Sequence, residues 1–199
     1  CGFDMRALYK ALIVRGCEAI NAQRYAAASD DLIRALTLAD KNAWPDDEYV
    51  TAACQLGRAC EHLGGDQFDR AVVSKILDQA YARAAKIKDQ RTVLELPWYT
   101  GLCTPDRTKA RNTFILCMQL GKPEAGIAAA ILTSNQQEAY VLLSEASKLY
   151  TPTVLVKKYC HFSRQRGIEI TANSAIFQYI GWIISQDFVA GWEMLEELA

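Results

Sequence analysis

"EAINAQRYAAASDDLIRALTLAD", Glu18 to Asp40, is the stretch whose reading decides the fold. Tyr25 stands three residues before Ala28, and Ala35 follows seven residues after that. Residues three, four and seven apart share one face of a helix. The spacing is either a packing code for paired helices or the chance product of an Ala-rich helix, and the rest of the chain has to decide between them.

The rest of the chain speaks the same language. Ala, Leu, Gln, Lys, Arg and Glu are abundant, all good helix formers. Apolar residues recur at three and four, not at two. Helices are predicted over 4–21, 24–40, 47–63, 66–88, 105–120, 122–132, 135–149, 152–166, 172–185 and 187–199. Pro45 breaks the chain before Asp46, Asp47 and Glu48, which place negative charge in a first helical turn. Thr104 with Pro105 and Thr151 with Pro152 read as N-cap and first helical residue. Ser134 and Gln137 have the spacing of a capping box. Residues 89–104, "DQRTVLELPWYTGLCT", read as an irregular linker between a front block, 1–88, and a back block, 105–199. Short turns between neighbouring helices imply antiparallel pairs.

The pairing code resembles the tetratricopeptide repeat, a two-helix unit of about 34 residues. Gly16, Tyr25, Ala28, Leu32 and Ala35 fall at matching positions, while Leu12 and Arg15 depart from it. "CQLGRACEHLGGDQFDRAV" (54–72) gives a second copy, with Leu56 and Gly57 matching and Phe68 three before Ala71. "FILCMQLGKPEAGIAAAIL" (114–132) keeps the turn and the small-residue helix but lacks the aromatic. "YIGWIISQDFVAGWEMLEEL" (179–198) offers Gly181, Phe188 and Gly191 with a shortened turn. The resemblance implies an all-α fold of about ten helices, antiparallel pairs stacked as a right-handed α-solenoid. It also implies that Tyr25 is a buried packing residue, whose replacement by Ala would loosen the first pair by about 3 kcal/mol. Residues 109–147 resemble, more softly, the large α-solenoid proteins of eukaryotic membrane trafficking, such as the spastizin-type proteins.

Composition sets the bounds on function. The chain has 199 residues, about half of them hydrophobic, which is enough for a sizeable core. The longest apolar run, Ala175 to Ile184, is too short to span a bilayer and contains Gln178. The chain starts at Cys1 without Met, and the expectation is a fragment of a larger or processed protein; Cys1 followed by Gly2 also suits a lipid-bearing bacterial N-terminus. Seven cysteines, an odd count without any CxxC, read as reduced, mostly buried thiols in a cytoplasmic protein. Net charge is near zero but uneven: 105–170 hold 9 basic and 5 acidic residues, and 171–199 hold four acidic and no basic ones.

No motif carries catalysis. His62 and His161 stand in no metal-binding spacing, and Cys160 and His161, being adjacent, point about 100° apart on a helix. No strand precedes a phosphate-binding glycine loop. The expectation is a non-catalytic chain without cofactor or metal, a scaffold whose surface binds another protein's peptide or helix. The resemblance places that surface on the first helix of each pair, with Lys10, Arg15, Asn21, Gln55, Arg58 and His62 as candidates. A second candidate is the basic helix carrying Lys157, Lys158, Arg164 and Arg166. The alternative reading is RNA binding, or membrane trafficking and tethering, through residues 148–166.

Overall fold

The computed structural model describes residues 4–64, 67–171, 174–176, 178 and 179. Among them the protein is all-α, with nine helices and no strand. The chain divides into two compact units, Cys1–Pro105 and Asp106–Ala199. The helices expected over 172–185 and 187–199, with Gly181, Phe188 and Gly191, fall almost wholly outside the described residues.

The first unit holds α1 (Met5–Asn21), α2 (Tyr25–Lys41), α3 (Asp46–Glu61), α4 (Arg70–Ile87) and α5 (Gln90–Cys103). Each packs on its sequence neighbour, and α3 also touches α1 and α5. This is the contact pattern of a helical solenoid, in which first helices of successive pairs lie side by side. The second unit holds α6 (Arg107–Gln119), α7 (Glu124–Leu132), α8 (Gln136–Ser147) and α9 (Pro152–Gln165). Here α7 packs on α6, α8 and α9, and its residues Ala125 to Leu132 are all buried.

Short polar side chains start most helices. Asp4, Asp69, Asp89 and Asp106 each accept amide bonds from the first turn that follows. The cap of α6 is therefore Asp106, not Thr104, which instead closes α5 and is buried. Asn135, not Ser134, caps α8 by accepting from the Glu138 amide. In both cases the carboxylate or amide oxygen one or two residues on wins over the hydroxyl.

One turn recurs at helix ends. Arg24 donates its amide to Ala19 O, Trp44 to Ala39 O, Asp89 to Ala84 O, Lys122 to Cys117 O and Ile168 to Ser163 O. The residue before each donor is left-handed: Gln23, Ala43, Lys88, Gly121 and Gly167. Only two of the five carry the expected glycine.

The packing code holds on α2. Ala28, Leu32, Ala35 and Ala39, spaced four, three and four, are completely buried. Ala28 meets Ala19 of α1 and Ala59 of α3, so three helices converge on three methyl groups. On α4 the same spacing returns as Val73, Leu77, Ala80 and Ala84, also completely buried. The echo is thus two residues beyond the Phe68–Ala71 match, and Ala71 itself is exposed.

Residues 89–104 are not a linker. They form α5, capped by Asp89, with Pro97 inside the helix. Proline removes a helical hydrogen bond and crowds the preceding turn, so the local signal argues against a helix. Tertiary packing overrides it: Leu96 to Thr104 are all buried. The Trp98 indole donates to Glu61 Oε1 at 3.0 Å, and Tyr99 fills the space beside Gly57.

Candidate partner-binding surface

Two flanks of α1 meet different helices. One side faces α3, where Arg6 donates to Glu48 at 2.6 Å and lies over the Trp44 ring. The other side faces α2, where Arg15 grips Asp31.

Lys10 and Asn21 are exposed on α1, with Val14 between them in sequence, 56% exposed. Thr51 and Arg58 are exposed on α3 and His62 at its C-cap, with Gln55 on the same side, at helical spacings of four, three and four. Gln55 is half-buried and accepts from the Arg58 guanidinium at 3.4 Å. Cys17, half-buried on α1, feels the Arg58 charge, but burial is the stronger influence and pushes its thiol up. Lys10 and Asn21 are thus carried by α1, and Gln55, Arg58 and His62 by α3 and its C-cap, the helix that also touches α1.

Arg15 does not join them. Its Nε donates to Asp31 Oδ2 at 2.6 Å, and Nη2 donates to Oδ1. Asp31 is only 6% exposed, and this fork is what makes a buried carboxylate tolerable. Arg15 stands where the repeat usually has Leu, and no sequence pattern foretold its partner sixteen residues away.

Tyr25 is the residue that sequence reasoning placed elsewhere. It is half-buried, and its ring stacks on the exposed His62 imidazole, with centroids 4.4 Å apart and planes 16° apart. The space beside Gly16 is filled by Leu32 instead: a Cβ there would sit 2.8 Å from Leu32 Cγ. Tyr25 thus belongs to the edge of the α1–α3 face as well as to the helix pair.

On the second unit the basic helix is less free than its sequence implies. Lys157 and Arg164 lie on the exposed stripe of α9, together with His161. Lys158 is half-buried, donates to Glu124 Oε2 at 3.0 Å and lies over the Tyr150 ring. Arg166 is half-buried at the C-cap.

The cysteines are packing residues. Among the described ones none is in a disulfide, and Cys54, Cys60, Cys103 and Cys117 are buried. Burial pushes the Cys54 thiol up to about 12 and that of Cys117 up to about 11, far from a reactive thiolate. Among the described residues no three His, Cys, Asp or Glu side chains gather as a metal site. No described helix is long and apolar enough to cross a membrane. Comparison with protein families, curated proteins and solved structures finds no match for this chain.

Proposed function

We propose that this chain is a non-catalytic protein-binding module, a right-handed tetratricopeptide-repeat-like array whose α1–α3 face takes a peptide or helix of a partner. The supporting observation is the composition of that face. Lys10, Val14, Asn21, Arg58 and His62 are exposed along two adjacent first helices, mixing charge, amide, imidazole and an unusually open valine. Mixed apolar and polar groups on neighbouring rigid helices suit recognition of an extended surface better than catalysis, which needs an enclosed site. The nucleic-acid reading has less to rest on, because Lys158 already answers Glu124 and the remaining basic stripe is short.

The test is crosslinking of the purified chain to cell extract, with the Lys10→Glu/Arg58→Glu variant as control. A partner captured by the wild type and lost by the variant, at an unchanged melting temperature, is the expected result. Partners that are identical for both proteins would discard the face. RNA oligonucleotide titrations at two salt concentrations provide the contrast, since phosphate contacts weaken steeply with salt; tight, salt-sensitive binding lost on Lys157→Glu would replace the protein-binding reading.

A further inference from the structure

The α1–α2 side of the first unit carries a depression of about 250 Å³, lined by Arg15, Arg24, Arg34, Asp30, Asp31, Ala19 and Ala27. We propose that it is a binding site for a phosphate group, separate from the α1–α3 face.

Three guanidiniums line it, and their states differ. Arg15 is oriented by its fork on Asp31, yet its side chain remains 62% exposed. An arginine offers five donors, and the fork uses two, so Nη1 and half of Nη2 remain for a ligand. The fork sets the charges of Arg15 and Asp31 against each other, so Arg15 offers an anion hydrogen-bond donors, and the uncompensated positive charge comes from Arg24 and Arg34. Arg24 and Arg34 are exposed, and neither guanidinium bonds to any described residue. Arg24 is the N-cap of α2 and Arg34 lies ten residues on, about 15 Å along the helix axis, and both line the depression. Ala19 and Ala27 complete its lining.

The chemistry of the ligand follows from the donors. A single carboxylate is satisfied by one fork, as Asp31 is by Arg15. Guanidiniums carried on different residues can each meet a different oxygen of a tetrahedral dianion, which presents oxygens on every side. The depression is open to solvent and has room for one phosphate and its residual hydration. Asp30, exposed at the rim and also without a bonded partner, is the one lining carboxylate that opposes an anion. It gives the site a built-in test of sign.

The experiment titrates the full chain with inorganic phosphate by calorimetry and amide NMR, at low ionic strength against a matched chloride control. Saturable binding is expected, with the largest amide shifts in residues 15–34. Arg24→Gln and Arg34→Gln should each weaken it about fivefold, the equivalent of roughly 1 kcal/mol, while Asp30→Asn should tighten it about twofold. Lys157→Gln, on the other unit, should change nothing. Shifts no larger than with chloride would overturn the proposal, as would binding that both arginine variants retain in full. Arms with a phosphoserine peptide and with phosphoinositide vesicles identify the source of the group: whichever is bound more tightly than free phosphate, and lost on Arg34→Gln, is the carrier.

Discussion

Tyr99 occupies the space that Gly57 leaves empty: a Cβ on Gly57 would lie 2.3 Å from Tyr99 Cγ. The glycine on α3 thus exists for α5, not for its hairpin partner α4. Gly57→Ala must move a buried aromatic ring, which is rooted close to its own backbone. A loss of about 1–3 kcal/mol or more is expected. Gly16→Ala should cost less, because Leu32 has more rotamer freedom to yield. Chemical denaturation of both variants checks the order, and equal midpoints would show that the ring contact is not limiting.

The left-handed turn residues predict gains in stability. Gln23, Ala43 and Lys88 hold φ between 50° and 58°, a region that costs side-chain-bearing residues roughly 1–2 kcal/mol. Part of that returns on substitution by glycine, less the extra freedom glycine gives the unfolded chain. Ala43→Gly should therefore raise stability by about 0.5 kcal/mol. Gly121→Ala should lower it by about 1 kcal/mol, although a Cβ there would touch nothing. Thermal melts of the two variants should move in opposite directions.

Tyr25→Ala should cost less than the roughly 3 kcal/mol expected of a buried aromatic, because Tyr25 is half-buried and its stacking partner His62 is exposed. Part of the loss is the ring pair, worth about 0.5–1.5 kcal/mol. A double-mutant cycle with His62→Ala isolates that part. A coupling energy of zero would mean that the stack contributes only shape.

The second unit should be sensitive to acid through Glu124. Burial by itself would push this carboxyl up, but the hydrogen bond and charge of Lys158, with Lys122 beside it, outweigh burial and hold it below its usual range. A carboxyl whose folded value is depressed adds stability that is complete above its unfolded value and disappears as pH falls through the folded one. The melting temperature of the wild type should therefore fall more steeply below pH 4.5 than that of Glu124→Gln. Parallel curves would remove Glu124 from the acid response.

How much of this was legible depends on whether neighbours along the chain or across space decide the outcome. The stripe Ala28, Leu32, Ala35 and Ala39 is local, and its spacing reads directly as a packed face. Its echo on α4 was misplaced by two residues because Val73 stands where a small residue was sought, while Ala71 happened to follow an aromatic. Helix α5 was hidden by Pro97, whose local penalty is real but is outweighed by the burial of Trp98 and Tyr99. The exposure of Lys10, Asn21, Arg58 and His62 was visible, since it follows from helical period. Arg15 was placed with them because its commitment to Asp31 depends on how two helices meet, which no spacing within one helix specifies.

The side-by-side placement of α1, α3 and α5 also bears on how the first unit forms. Most packing joins helices adjacent in sequence, so early structure closes only short loops and assembly should be fast. The main exception is α5 on α3, with Tyr99 against Gly57 and Trp98 on Glu61, which can form only after α4 has turned the chain back. Substitutions in the Ala19–Ala28–Ala59 junction should slow refolding, whereas Tyr99→Leu should chiefly speed unfolding. In kinetic terms α5 acts as the latch of the first unit, setting how long it stays closed more than how quickly it closes.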